Sequence, residues 1–136
     1  MKELTVDAAV ENIETVTAFV MAELETLDCP VKAETQIAIA IDELFGNIAR
    51  YAYSPDIGKA TVRFEVDDDP TAVIITFIDH GVPFNPLEQV DPDTHASAEE
   101  RQIGGLGIFL VRKTMDMVEY AYRDGRNILM IKKNLE

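Results

Sequence analysis

The sequence predicts an α+β domain, a two-layer sandwich in which a mixed, mostly antiparallel sheet carries helices on one face. Three observations support this fold class. Apolar residues recur at three- and four-residue steps in three segments, they alternate or run continuously in four shorter ones, and the shorter segments form pairs joined by turns. The chain has 136 residues and 47% hydrophobic content, which suits a single domain spanning residues 1–136.

Three helices are predicted, over residues 7–27, over roughly 31–53, and after Gly107 to about Val118. Asp7 is placed to cap the first of them. In the first helix the apolar stripe is Val10, Ile13, Val16, Val20, Leu24 and Leu27, and in the second it is Ile37, Ile41, Leu44, Ile48 and Tyr51 or Ala52. Proline at position 30 separates the two helices because it interrupts helical hydrogen bonding.

The predicted strands share alternating or continuous apolar residues and cover 59–66, 72–78, 119–123 and 127–133. They form two hairpins, and a short strand before Asp7 is also expected. The second strand is apolar except for Thr76, so we expect it near the centre of the sheet. Residues 79–103 show no periodicity, and a loop of this length inside a small domain is typically functional or mobile.

The charge balance excludes some partners. Twelve Lys and Arg residues stand against 25 Asp and Glu residues, a formal net charge of −13, which repels a phosphate backbone and disfavours nucleic-acid binding. The single cysteine, Cys29, leaves no intramolecular disulfide and no cysteine-based zinc site. No apolar run approaches the ~20 residues that a membrane span requires. We therefore expect a cytoplasmic protein without a membrane partner.

A first group of polar residues lies on the second predicted helix. Glu43, Asn47 and Arg50 fall at i, i+4 and i+7, on a stripe beside the apolar face. In a pocket wall, the amide oxygen of Asn47 is a ligand for a hard cation and the carboxylate of Glu43 is a proton acceptor. The alternative interpretation is a solvated helix flank without a site.

A second group follows the apolar strand, where Asp79 is separated from Gly81 by one residue. A carboxylate at a strand end can stand at the mouth of a pocket, and glycine lets backbone approach a planar ligand. Because a carboxylate only accepts hydrogen bonds, the matching ligand group is a donor such as an exocyclic amine. The alternative interpretation is an ordinary Asp-x-Gly turn.

A third group is the run Gly104-Gly105-Leu106-Gly107-Ile108 directly before the third helix. Glycines there expose the unpaired N–H groups of a helix start, which bind anions such as phosphate. The run matches neither a Walker loop nor a dinucleotide fingerprint. Residues 101–136 contain seven basic and four acidic side chains, a net +3, so this is the part of the chain whose charge attracts a phosphate.

In chain order, these three groups resemble the N box and the two glycine boxes of the GHKL ATP-binding superfamily. The matching residues are Glu43-Leu44-Phe45-Gly46-Asn47-Ile48-Ala49-Arg50-Tyr51-Ala52-Tyr53, Asp79-x-Gly81-x-Pro83-Phe84-x-Pro86 and Gly104-Gly105-Leu106-Gly107. Within the superfamily the chain is most similar to the bacterial anti-sigma-factor serine/threonine kinases. The fold that this resemblance implies is the Bergerat type of ATP-binding sandwich, as in histidine kinase ATPase domains.

The resemblance also implies roles for individual residues. Asn47 would bind the Mg²⁺ that bridges the ATP phosphates, Asp79 would accept a hydrogen bond from the adenine amine, and Glu43 would be the general base. The second glycine box would hold the phosphates beneath a lid at about residues 85–103. The implied ATP-binding set is Asn47, Arg50, Asp79, Gly81, Phe84, Gly104, Gly105, Leu106, Gly107, Ile108 and Asn127, the last of which supports Asp79.

The function that follows from the resemblance is an ATP- and Mg²⁺-dependent serine/threonine protein kinase. Its implied partners are a STAS-domain anti-anti-sigma protein, which it phosphorylates, and a sigma factor, which it sequesters; the likeness also implies a homodimer. Some kinases of the family place a basic residue directly before the second glycine box, where this chain has Arg101-Gln102-Ile103. The alternative is therefore a nucleotide-dependent protein-binding module that transfers no phosphate.

Overall fold

The structure is a computed structural model that describes residues 1–68, 71–88 and 106–135. Its helices are α1 (Ile13–Glu25), α2 (Val31–Asn47) and α3 (Leu106–Thr114). Its strands are β1 (Lys2–Asp7), β2 (Lys59–Asp68), β3 (Thr71–Asp79), β4 (Met117–Arg123) and β5 (Arg126–Asn134). Short 3₁₀ turns cover Val10–Asn12 and Pro86–Glu88, and a π-helical turn, Ile48–Ala52, extends α2.

The five strands form one sheet in the order β1-β2-β3-β5-β4, and all four pairings are antiparallel. β3 is the central strand, as its apolar composition predicts, and Thr76 within it is buried. The register sets Asp79, the last residue of β3, opposite Asn127 of β5. The predicted α+β sandwich is confirmed, and the two hairpins lie where the sequence indicates.

The hydrophobic core lies between the helices and one face of the sheet. Alternate residues of β2 point into this core because side chains of a strand alternate between its two faces. Fully buried core residues include Val16, Val20 and Leu24 of α1, Ile37, Ile41, Leu44 and Phe45 of α2, Val62, Ile75, Phe77 and Ile131 of the sheet, and Ile108 of α3. The apolar stripes predicted for the first two helices therefore face this core, except at Val10 and Tyr51, which are exposed.

The start of the first helix differs from the prediction. Asp7 does not cap a helix, because it ends β1, pairs with Lys59 of β2 and forms a salt bridge with that lysine at 2.5 Å. The next residue, Ala8, donates its backbone N–H to the carbonyl of Gly58 at 2.8 Å. Strand pairing thus holds the chain extended up to residue 8, and Val10 is exposed rather than part of the apolar stripe.

The ends of the other helices also differ in detail. The second predicted helix continues to Ala52 only by widening into the π-helical turn. The third ends at Thr114 rather than Val118, because the backbone N–H of Asp116 already bonds to the carbonyl of Lys132 in β5. Among the described residues, no helix is long and apolar enough to cross a membrane.

Candidate functional site

A cavity lies where the C-terminal end of α2 meets the ends of β3, β4 and β5. Most of its wall is apolar, with Leu44, Phe77 and Leu129 on the sides that face the core. The polar lining side chains are Asn47, Asp79, Tyr120 and Asn127. An apolar wall with a few convergent polar groups is the usual form of a small-molecule site.

Asp79 is the buried acid of this cavity, with a side chain only 3% exposed. Its Oδ1 atom accepts hydrogen bonds from the backbone N–H of Gly81 at 2.8 Å and from Nδ2 of Asn127 at 2.9 Å. Its Oδ2 atom accepts no hydrogen bond from any described residue. One carboxylate oxygen is therefore held by the protein, and the other is able to accept a hydrogen bond from a ligand that donates.

The amide of Asn127 has its orientation set by four neighbours. Its Oδ1 atom accepts from the hydroxyl of Tyr120 at 2.5 Å and from the backbone N–H of Phe84 at 3.1 Å. Its Nδ2 atom donates to Asp79 and, at 2.9 Å, to the carbonyl of Val82. Reversing the amide would place its NH₂ group against the N–H of Phe84, and its oxygen against the oxygens of Asp79 and Val82. Asn127 therefore presents its N–H groups to Asp79.

Gly81 lies against the end of the π-helical turn. A side-chain carbon at position 81 would come within 2.2 Å of the carbonyl oxygen of Ala52, which also accepts the backbone N–H of Val82 at 3.0 Å. Nearby, the hydroxyl of Tyr53 accepts from the N–H of His80 at 2.7 Å and donates to the carbonyl of Lys59 at 2.6 Å. These contacts fix the segment after β3 against α2.

Glu43 and Asn47 lie one turn apart near the end of α2, and both are half-buried. Nδ2 of Asn47 lies 3.4 Å from Oε1 of Glu43, so the two side chains are adjacent. Arg50 departs from the predicted arrangement: it is exposed, it does not line the cavity, and its guanidinium lies over Gly46. The π-helical turn has more residues per turn than an α-helix, so the i, i+3 spacing no longer aligns Arg50 with Asn47.

The carboxylate of Glu43 also contacts the start of α3. A side-chain carbon built on Gly107 would lie 2.1 Å from Oε2 and 2.6 Å from Oε1 of Glu43. The structure therefore brings the acid of the first predicted motif to a glycine of the third. Ile108, the next residue, is buried in the core, so its backbone alone remains available to a ligand.

Part of the predicted phosphate site falls outside the described residues. These are Gly104, Gly105 and residues 89–103 of the predicted lid. Leu106 is the first residue of α3.

The segment after β3 makes further contacts with α3 and the π-helical turn. Phe84 lines the cavity and packs against Tyr51, with ring centroids 6.4 Å apart. Arg112 of α3 donates a side-chain hydrogen bond to the carbonyl of Leu87.

Sequence reasoning gave no role to two tyrosines, Tyr120 in the cavity wall and Tyr53 beside the segment after β3. Tyr120 lines the cavity opposite Leu129, and burial raises the pKa of its phenol. Burial also raises the pKa of Tyr53, with Asp79 adding to the effect and the hydrogen bond from His80 opposing it. The predicted hairpin of 119–123 with 127–133 indicates that Tyr120 lies near Asn127, but Tyr53 carries no comparable sequence signal.

The residues present suit a nucleotide with magnesium. Within the described ranges, no group of three His, Cys, Asp or Glu residues could hold a metal ion by itself. Mg²⁺ usually binds one or two protein oxygens together with substrate phosphates and water, so a site based on Asn47 fits this ion better than a closed protein cage. The unpaired Oδ2 of Asp79 fits the amine of an adenine ring.

Comparison of the sequence with known proteins identifies a family and relatives. The family described as histidine kinase-like ATPase domain matches residues 6–133. Over 98 residues the chain is 33% identical to the serine-protein kinase RsbW of Bacillus mycoides strain KBAB4 and 34% identical to that of Bacillus cereus strain B4264. Each match covers 69% of this chain and 60% of the relative's length.

The fold is similar to that of a solved structure containing the RsbU and RsbW domains of a Mycobacterium tuberculosis protein. The TM-score is 0.65 at 16% sequence identity, and the match covers 99% of this chain and 33% of the other. At this identity the similarity concerns the fold alone.

Proposed function

The chain belongs to the histidine kinase-like ATPase domain family, and we propose that it is an ATP- and Mg²⁺-dependent serine/threonine protein kinase acting in the cytoplasm. Its proposed substrate is a STAS-domain anti-anti-sigma protein, and its second partner is a sigma factor that it sequesters. The relatives named as serine-protein kinases support the reaction. The partners follow from the resemblance of the three sequence motifs.

The proposed adenine site is the cavity below Asp79. Oδ2 of Asp79 accepts from the adenine amine, while the hydrogen bonds of Gly81 and Asn127 to Oδ1 hold the carboxylate in place. The apolar wall of Leu44, Phe77 and Leu129 excludes water from the ring. Guanine would present a carbonyl oxygen to the same carboxylate, so the site favours adenine.

The proposed phosphate site lies at the same C-terminal end of α2, on the side that faces the start of α3. Asn47 contributes its amide oxygen to Mg²⁺, which would neutralise phosphate charge, and the backbone N–H groups of the second glycine box bind phosphate oxygens. The N–H groups at the start of α3 have no intrahelical acceptors and are suited to this role. Phosphoryl transfer depends mainly on such positioning and charge neutralisation.

Glu43 is the proposed general base. Its carboxylate takes the proton of the partner's serine hydroxyl as the serine oxygen bonds to the terminal phosphorus, and ADP leaves. The single observation that carries this proposal is the position of the carboxylate, between Asn47 of the proposed magnesium site and Gly107 of the proposed phosphate site. A base is needed at that place, beside the phosphate that is transferred.

The test is transfer of label from γ-labelled ATP to the candidate STAS partner in the presence of Mg²⁺. The wild-type protein should label a serine or threonine of the partner. Glu43→Gln should bind ATP with unchanged affinity and lose transfer by at least about a hundredfold, the size usual for a general base. Wild-type protein that binds ATP but labels no partner would contradict the kinase proposal, and normal transfer by Glu43→Gln would contradict the assignment of the base.

The second candidate function is a nucleotide-dependent binding module without phosphotransfer. The observation in its favour is Gln102-Ile103 directly before the second glycine box, where some kinases of the family have a basic residue. Such a module would bind its partner differently with ATP and with ADP. Partner affinity that depends on the nucleotide, without label on the partner, is the outcome expected for this function.

A further inference from the structure

Gly107 contacts Glu43 more closely than a residue with a side chain could. A carbon attached to its Cα would lie 2.1, 2.2 and 2.6 Å from Oε2, Cδ and Oε1 of Glu43. Real side-chain carbons do not approach other atoms within 3.0 Å. The three nearest atoms all belong to one carboxyl group, so this group occupies the place that any side chain at position 107 would fill.

The backbone conformation does not require glycine at this position. Gly107 is the second residue of α3 and has ordinary right-handed helical backbone, which every residue type adopts. Glycine is a poor helix former compared with alanine, so helix stability alone favours alanine there. The absence of a side chain at Gly107 does, however, allow the close contact with Glu43.

The carboxylate is bounded on two sides. Nδ2 of Asn47 lies 3.4 Å from Oε1 on the α2 side, and Gly107 lies against it on the α3 side. Glu43 has a flexible side chain, so a methyl group at position 107 would displace its carboxyl group rather than the backbone of either helix. A substitution at Gly107 should therefore move the acid and leave the fold intact.

We propose that Gly107 is a positioning residue for Glu43, and that its missing side chain holds the carboxylate at the place where α2 meets the start of α3. The consequence for catalysis rests on the proposed kinase function, in which Glu43 accepts the serine proton. This role is separate from phosphate binding. A variant with a side chain at position 107 keeps the backbone N–H that would bind phosphate, but it loses the space that the carboxyl group of Glu43 occupies.

The kinetic test compares Gly107→Ala, Glu43→Asp and the double variant, with Leu110→Ala as control because Leu110 is 41% exposed on the next turn of α3. In Gly107→Ala the Kd for ATP should stay within about twofold of wild type while kcat for transfer falls at least about tenfold. Aspartate is shorter and leaves room for the methyl group, so the double variant should be no slower than the slower single variant. A wild-type kcat in Gly107→Ala, or losses that multiply in the double variant, would overturn the proposal.

A second measurement needs no activity. The side-chain carboxyl ¹³C resonance of Glu43, assigned with Glu43→Gln, should shift in ligand-free Gly107→Ala and stay unchanged in Leu110→Ala. An unshifted resonance in Gly107→Ala overturns the positioning role, whereas a shifted resonance in a protein that labels no partner refutes only the kinase function. If Gly107→Ala does not fold, the variant that also carries Glu43→Ala should recover folding, and failure of both would likewise overturn the contact.

Discussion

In the carboxylate of Asp79, the oxygen that the protein holds and the oxygen that is proposed to bind the ligand are different atoms. Two donors from the protein share Oδ1, and Oδ2 accepts from none of the described residues. Burial of a carboxylate costs free energy unless hydrogen bonds compensate it, so the two bonds to Oδ1 explain how the acid is tolerated at 3% exposure. The unpaired oxygen is then the atom that we propose for ligand binding.

Asp79→Asn is predicted to reverse the hydrogen-bonding character of that atom. The amide oxygen can keep both bonds to Gly81 and Asn127, while its NH₂ group replaces Oδ2 and meets the adenine amine donor to donor. We expect ATP affinity to fall at least about tenfold, roughly 1.4 kcal/mol, and the ratio of ATP to GTP affinity to fall with it. Calorimetric titration with both nucleotides measures this, and unchanged ATP affinity would rule out Asp79 as the adenine acceptor.

Tyr53 and Tyr120 are predicted to make stability fall at high pH. Burial is the largest cause that raises the pKa of each phenol, so both stay protonated in the folded protein at a pH where the unfolded chain ionises. Below a pH of about 10, the unperturbed value, both states are protonated and the contribution is complete. Above it the unfolded state loses protons first, and the free energy of unfolding decreases as pH rises through the folded-state pKa values.

Denaturant titrations from pH 8 to 11 provide the measurement for the tyrosine prediction. The double variant Tyr53→Phe/Tyr120→Phe should be less stable at pH 8, by about 1 kcal/mol per lost hydrogen bond, and should lose stability less steeply above pH 10. Tyr122→Phe is the matched control because Tyr122 is 45% exposed on the same strand as Tyr120. Equal slopes in wild type and double variant would contradict the assignment.

At the scale of secondary-structure elements, the site depends on the contact between the π-helical turn and the segment after β3. Ala52 accepts the N–H of Val82, and Gly81 has no room for a side chain beside the same carbonyl. The atom in conflict is backbone, which cannot swing aside as a flexible side chain can. This contact sets the distance between Asn47 at the end of α2 and Asp79 at the end of β3.

Gly81→Ala is therefore predicted to lower both stability and nucleotide binding. Forcing a methyl group to within 2.2 Å of the Ala52 carbonyl must move the two elements apart, at a cost of about 1–3 kcal/mol. Gly125→Ala is the comparison, because Gly125 has a φ of 75° in the β4–β5 turn but open space around it. That variant should lose stability through backbone strain while keeping its ATP affinity. If Gly81→Ala kept its ATP affinity as Gly125→Ala does, the proposed role of the contact would be contradicted.

The elements were predictable from sequence where local pattern and tertiary packing agree. The stripe of Ile37, Ile41 and Leu44 predicts the buried face of α2, and the apolar run of β3 predicts its central place. The start of α1 was predicted wrongly because Asp7 is a good helix cap in isolation, whereas pairing of β1 with a strand more than fifty residues away determines its conformation. Long-range pairing of this kind has no local sequence signature.

The site residues were likewise predictable only where the local sequence carries the information. Glu43, Asn47 and Asp79 were predicted as site residues because their motifs resemble known ones, and the structure brings Asn47 and Asp79 to one cavity. Arg50 was assigned to the same helix face on an α-helical period, which the π-helical turn changes. Tyr120 was missed although the predicted hairpin brings it near Asn127, because the hydrogen bond between the two side chains depends on the register of β4 on β5.

At the scale of the whole molecule, the proposed ligand joins parts of the chain that are distant in sequence. α2, β3, β5 and the start of α3 each contribute to the site, so a bound nucleotide would connect most elements of the domain. A ligand that binds only the folded state stabilises it by mass action. Because small single domains usually unfold cooperatively, this effect should appear in one global transition.

Thermal unfolding is predicted to report both ATP binding and the role of Asn47. ATP with Mg²⁺ at a hundred times its Kd should add about 2.7 kcal/mol to the free energy of unfolding and raise the Tm by roughly 5–15 °C. In wild type, chelation of Mg²⁺ should remove part of this shift, because the phosphates then lose the metal that Asn47 would hold. In Asn47→Ala the shift should already be reduced and should not change further on chelation, and in Asp79→Asn it should be much smaller under both conditions. If the shift in Asn47→Ala still depended on Mg²⁺ as in wild type, Asn47 would not be the metal ligand. The ion would then bind elsewhere on the protein, whose net charge of −13 attracts cations.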